Sequence, residues 1–300
     1  MQKTEKQQEK GKKLQELSLS DDFLFFKVME DDELCKGLLE LIFGKKIRKF
    51  KRRNQHFMKI GYDSRGIQTD VYLEGDGTLY VTEMQKGKLK NLPQRSRYYQ
   101  SVVDVENLHP GEDVKQLKKS YIIFLCTFPL FDGKYHLYSF RNRCNENHKL
   151  ALEDGAEKIF ISSKGTADDI SFELKEYLSF IEVSDTENFD AKTEYVKKLQ
   201  KKIYEIKHNQ GMEVEYMTLE MKLLDIRNEA WEEGIEKGRI RGESISFISL
   251  IRKKFERGMD SSDIAEQLEL EEAYVNRVIE LLEKEQKMTN EEIADMIIAQ

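Results

Sequence analysis

The sequence predicts an α/β protein: a mixed sheet flanked by helices, followed by an all-helical C-terminal extension. Three observations carry this. Two alternating runs, IQTDVYLE and TLYVTEMQ, flank Asp76-Gly77, a dipeptide that favours tight hairpin turns. Ser120–Phe128 (SYIIFLCTF) is almost wholly apolar and β-rich, as expected of a strand covered on both faces. Beyond Asp185 the chain becomes charged, with apolar residues at helical spacing. Helices and strands alternate before that point, which makes the sheet mixed.

In order, residues 1–16 are polar and charged and read as a disordered tail. Ser20, Asp21 and Asp22 can cap a helix running to about Phe43, with Gly44 just past its end. A strand is expected around Phe50–Ile60, a turn at 62–66, then the hairpin. Asn91 and Pro93 open a helix reaching about Glu106, and His109-Pro110-Gly111 breaks the chain before the buried strand. Tyr135–Phe140 and Lys158–Ile161 read as strands, and Asp168 as the start of a helix to Phe180. The core is expected to span 17–185. Residues 186–242 form a helical region whose Gly234, Gly238 and Gly242 mark a flexible or closely packed connector, and 243–300 a small helix-turn-helix-like module. In the helical region, Tyr195, Leu199, Ile203 and Ile206 make one packing stripe. Val214, Met217, Met221 and Leu224 make another, suited to a helical hairpin or a homodimer contact.

Composition narrows the function classes. With 39% apolar and 35% charged residues the chain can bury a core and still expose much charged helix. No run approaches the roughly 20 apolar residues that span a bilayer, and MQKTEKQQEKGKK has no secretory character. Cys35, Cys126 and Cys144 stand far apart, which supports neither a disulfide framework nor a zinc site. A cytoplasmic protein without a membrane partner is the expectation. The net charge of −7 conceals an asymmetry: Lys45–Gln100 holds 14 basic against 5 acidic residues, so the remainder carries −16. Lys45, Lys46, Arg48, Lys49, Lys51, Arg52 and Arg53 are concentrated in nine positions, which suits a polyanionic ligand.

If Asp76 and Gly77 are the two loop residues of a type I′ turn, Gly75 pairs with Thr78, Tyr72 with Val81 and Asp70 with Glu83. Opposed side chains lie roughly 4.5–5.5 Å apart at Cβ, and Gln68 and Gln85 follow on the same face. Opposed like charges cost a sheet stability. A divalent cation between them turns that cost into binding, and oxygen ligands suit Mg²⁺ or Mn²⁺. The alternative is a solvated strand that merely tolerates acids. Glu40 is a further candidate, because an acid in the last turn of a helix opposes the dipole. Phosphate-binding glycine loops, nucleophile elbows and H-E-x-x-H helices are absent from the sequence. Ser261–Leu282 has helix-turn-helix spacing, but Glu271–Glu285 carries −3, which disfavours phosphate contact.

The elements DDFLFFKVMEDDELCKGLLELI, GIQTDVYLEGDGTLYVTEMQ, NLPQRSRYYQS and SYIIFLCTF, in this order, resemble the Rpn family of recombination-promoting nucleases, also labelled transposases, within the PD-(D/E)xK superfamily. The resemblance covers about 18–180 and implies a restriction-endonuclease-like core that cleaves DNA with Mg²⁺. It places the metal ligands on Asp70 and Glu83, a water-positioning residue on Gln85 where the superfamily usually has Lys, and a first-helix acid on Glu40. Lys45, Lys46, Arg48, Lys51, Arg52, Arg53, Arg95 and Arg97 would contact phosphates. The rival expectation is a catalytically weak or inactive nucleic-acid-binding or partner-recruiting protein on the same fold.

Overall fold

A computed structural model describes residues 12–53, 57–58, 67–87, 91–284 and 288–299, with the side chains of Arg53, Phe57, Met58 and Gln68 outside the description. The turn expected at 62–66 also lies outside the described residues. The chain divides into two compact units, Met1–Met217 and Thr218–Gln300.

In the first unit, α1 (Asp22–Met29) and α2 (Asp32–Phe43) precede the strands β1 (Phe50–Arg53), β2 (Phe57–Met58), β3 (Ile67–Gln68), β4 (Val71–Gly75) and β5 (Thr78–Gln85). Helix α3 (Leu92–Asn107), β6 (Lys119–Cys126), β7 (Leu137–Phe140), β8 (Ala156–Ser162), α4 (Phe172–Phe180) and α5 (Glu194–Lys207) complete it. Strands β2 and β3 form a short separate ladder, while the main sheet runs β1-β4-β5-β6-β8-β7. The β1–β4, β4–β5 and β7–β8 pairs are antiparallel, and β5–β6 and β6–β8 are parallel. This is the mixed, restriction-endonuclease-like sheet that the sequence predicts.

Alternation along the strands divides the core. Val71, Leu73, Tyr80, Met84, Ile123 and Leu125 pack towards α1, α2, α4 and α5. Tyr72, Leu79, Val81, Ile122 and Phe124 face α3 through Leu92, Tyr99, Val102 and Val103. Strand β6 is therefore buried on both sides, which is why its sequence lacks polar alternation.

The single helix expected over 22–43 is two. Asp31 takes an extended backbone and its carboxylate accepts the Glu33 and Leu34 N–H groups, starting α2 afresh. Gly44 closes α2 at φ 63°, a left-handed cap as expected. The first unit is also more extensive than the core expected at 17–185. Leu14, inside the tail read as disordered, is buried in a short 3-10 turn, and Val196, Leu199 and Ile203 of α5 join the same core.

The second unit contains most of α6 (Gln210–Phe255), then α7 (Ser261–Leu268), α8 (Glu272–Lys284) and α9 (Asn290–Ile298). Ile248 and Ile251 of α6 pack with Ile264, Val275, Val278 and Ile293. The glycines read as a connector lie inside the continuous α6; a Cβ added at Gly234, Gly238 or Gly242 meets nothing within 4 Å. They neither break the helix nor hold another backbone close. Among the described residues no helix is long and apolar enough to cross a membrane.

Candidate metal centre

The hairpin turn has φ 49° at Asp76 and 76° at Gly77, the left-handed pair that type I′ requires. The Asp76 carboxylate accepts the Arg48 and Lys49 N–H groups at 3.0 Å each, so the turn also anchors the start of the basic run. Gly75 pairs with Thr78, Tyr72 with Val81 and Val71 with Thr82. One step further Asp70 leaves the ladder. Its Oδ2 accepts the Met84 N–H at 2.8 Å, so its side chain takes the place of a backbone partner beside Glu83.

Glu83 points towards α3. Its Oε1 accepts from Arg95 Nη2 at 2.9 Å, Tyr99 OH at 3.0 Å and Gln85 Nε2 at 3.3 Å. Its Oε2 is buried and makes no hydrogen bond. An unpartnered carboxylate oxygen away from water is costly, and it lies beside a second buried acid. Burial pushes the Asp70 carboxyl up to about 7, against the Met84 N–H that lowers it. Burial and then the Asp70 charge push Glu83 up to about 8, although Arg95 and Tyr99 oppose this. Burial also lifts Tyr99 to about 12, keeping its hydroxyl a donor to Glu83.

Asp22, which the sequence offered only as a helix cap, belongs with this pair. It is the first residue of α1, and its charge raises both Asp70 and Glu83. Its own carboxyl is raised, by burial first and Asp21 second. Next to it Asp21 accepts from Lys86 Nζ at 2.5 Å. The sequence signal was the doubled acid ahead of Phe23; only the docking of α1 gives it meaning.

Glu40 is not brought to the pair. Its Oε1 accepts the Ile47 N–H at 2.9 Å and its Oε2 the Lys46 ammonium at 2.8 Å. Ile47 abuts Gly75 at the turn end of the hairpin, whereas Glu83 lies five residues beyond Thr78, roughly 17 Å at 3.4 Å per residue. Hydrogen bonds from Lys46 and Ile47 hold the Glu40 carboxyl below its usual range despite burial.

The expected phosphate contacts also separate. Arg95 is part of the acid cluster itself, bound to Glu83 and Tyr99. Lys46 pairs with Glu40 and Arg52 with Asp32. Lys45, Arg48, Lys51 and Arg97 are exposed and make no ion pair among the described residues. The Arg53 side chain lies outside the description, although its backbone stands opposite Tyr72, two residues from Asp70. The Gln85 amide nitrogen bonds the Met84 carbonyl at 2.9 Å as well as Glu83, and both partners being acceptors fixes its orientation.

A profile of the PD-(D/E)XK nuclease family transposases matches residues 20–233. The chain belongs to this family. The matched range includes the hairpin acids, α3 and the buried β6. No curated protein and no solved structure matches the chain.

Nucleases of this superfamily generally use divalent metal ions. The residues fit such an ion: the donors are carboxylate oxygens, and one of them, Glu83 Oε2, is buried without a partner. Among the described residues no group of three or more His, Cys, Asp or Glu side chains is already gathered in metal-binding geometry. Asp70 and Glu83 would hold the ion, and the Asp22 charge acts on both.

Proposed function

We propose that the protein is a divalent-metal-dependent endonuclease acting on DNA, with Asp70 and Glu83 as ligands for Mg²⁺ or Mn²⁺. The observation that carries this reading is Glu83 Oε2, buried and unpartnered beside a second buried carboxyl. A fold that wanted only stability would place an amide or an apolar residue there. When bound, the ion supplies the positive charge that lowers the pKa of water and offsets charge on the phosphate.

The remaining roles belong to the chain. Asp22 strengthens the field that attracts a cation. Gln85 holds Glu83 Oε1 through its amide nitrogen, leaving its carbonyl oxygen to accept from an attacking water. Arg95 neutralises Glu83 at rest and exchanges it for a phosphate oxygen when DNA arrives. Lys45, Arg48, Lys51 and Arg97 contact backbone phosphates, which carry no sequence information, so cleavage has low sequence specificity. Ends produced in this way would promote recombination.

A second reading has its own support. Gln85 cannot supply the charge of a Lys, and Arg95 already balances Glu83; the fold would then bind nucleic acid or recruit partners without cutting. Supercoiled plasmid incubated with the purified protein decides between them. Nicked or linear product with Mg²⁺ or Mn²⁺, none with EDTA and none with Asp70→Asn supports the nuclease. Binding without metal-dependent nicking supports the alternative.

A further inference from the structure

We infer that residues 217–235 of α6 form a parallel, in-register two-stranded coiled coil with a second copy of this chain. The inference stands apart from whether Asp70 and Glu83 cut DNA. Every residue from 221 to 243 of α6 is exposed. Long single helices gain most of their stability by burying an apolar stripe against something. Here the stripe exists, and among the described residues nothing covers it. Met217, Met221, Leu224, Trp231 and Ile235 are 56%, 57%, 46%, 63% and 56% exposed. Their spacings of four and three, completed by Asn228, are those of a heptad seam: Met221, Asn228 and Ile235 occupy a, and Met217, Leu224 and Trp231 occupy d.

Three features make a second copy the occupant. Asn228 is the one polar residue of this seam. An apolar partner would leave its amide unsatisfied, whereas an in-register copy sets Asn228 against Asn228, each amide donating to the other. A single polar a position of this kind fixes register and favours two strands. The flanks are also self-complementary: Arg227 at g reaches Glu232 at e of the partner. Neither residue makes an ion pair among the described residues of its own chain. The preceding flank, Glu220 against Asp225, is like-charged, so the dimer is weaker than its apolar seam alone would make it. The seam then ends by itself, because Gly238 and Gly242 hold its next d and a positions and offer no side chain. Ile226 and Ile240 lie on the opposite side of the helix and take no part.

The test uses the full chain. Analytical ultracentrifugation at tens of micromolar should give a dimer. Leu224→Lys with Trp231→Lys should give a monomer that still unfolds cooperatively, at the melting temperature the parent protein shows when diluted below its dimer dissociation constant. Both side chains are exposed in the single chain, so their loss does not unfold it. In a Cys144→Ser background, Met221→Cys and Ile235→Cys should each, alone, oxidise to a disulfide-linked dimer. Glu220→Lys should lower the dimer dissociation constant about tenfold by pairing with Asp225. A monomeric parent protein, or a dimer that survives the double lysine variant, overturns the inference. Cross-linking only when the two cysteine variants are mixed overturns the parallel arrangement.

Discussion

The metal-binding role proposed for Asp70 and Glu83 carries a signature independent of activity, because burial disfavours their charged forms in the folded protein. Both carboxyls are raised, to about 7 and about 8, by burial and, for Glu83, by Asp70. The unfolded chain releases these protons near pH 4, so between about pH 4 and 8 the folded state binds more protons than the unfolded state. Stability from this pair is complete below pH 4 and is lost as the pH rises through 7 to 8. Metal-free protein should therefore melt at lower temperature at pH 8.5 than at pH 6. Asp70→Asn, which keeps an acceptor for the Met84 N–H, should remove most of that difference. At pH 8 the same variant should melt about 2–4 °C higher, the shift for roughly 1 kcal/mol in a domain of this size, while losing at least about 10²-fold in nicking. Because ligands must be deprotonated, added Mg²⁺ or Mn²⁺ should stabilise the parent protein more at pH 8.5 than at pH 6, and Asp70→Asn hardly at all. Differential scanning fluorimetry at both pH values measures each effect.

The elements show what sequence periodicity can and cannot read. The hairpin was legible from the Gly75–Thr78 pair to the Val71–Thr82 pair, because a two-residue turn at Asp76-Gly77 fixes register. The expected Asp70–Glu83 pair lies one step past the ladder, where the Asp70 carboxylate takes the Met84 N–H instead. The buried β6 was legible because both faces are covered. Asp22 was not, since its helix start looks the same whether or not its carboxyl meets another element. Glu40 misled because α1 and α2 are separate helices, and the N-terminus of α1 is the end that meets the hairpin acids. The bonds of Arg95 and Tyr99 to Glu83 depend on how α3 lies across the sheet, which no local pattern encodes. Within the stretch read as helix-turn-helix-like, α7 ends at Leu268 and α8 begins at Glu272 after a short bend. That bend is made by Glu269 at φ 54°, the left-handed region where a side chain costs about 1 kcal/mol. Glu269 is also exposed, so Glu269→Gly should stabilise the second unit by about 1 kcal/mol. A higher chemical-denaturation midpoint with unchanged slope would show it; an unchanged or lower midpoint would mean that the bend is not strained.

At the scale of the whole molecule, charge is segregated rather than merely abundant. The segment Lys45–Gln100 carries +9 against −16 for everything else. Under the proposed function the acidic remainder would repel DNA, and binding would run through the basic segment. Three of its expected phosphate contacts, Lys46, Arg52 and Arg95, are paired with Glu40, Asp32 and Glu83. With the Arg53 side chain outside the description, that leaves Lys45, Arg48, Lys51 and Arg97 among the described residues to release counterions from the duplex. With about four phosphates neutralised, log K should fall against log salt with a slope near −3.6, so raising salt from about 50 to 200 mM should weaken binding about 10²-fold. Lys51→Glu and Arg97→Glu should each weaken binding and reduce the steepness of that slope by about one. Cleavage at saturating protein, still metal-dependent, should be little changed. Fluorescence anisotropy with a labelled duplex across a salt series measures both quantities. A slope near zero would place the DNA elsewhere, and a slope much steeper than −3.6 would mean that Lys46, Arg52 and Arg95 abandon their carboxylates when DNA binds. For Arg95 that exchange would expose Glu83 at the moment the substrate arrives, tying DNA binding to metal capture at the hairpin.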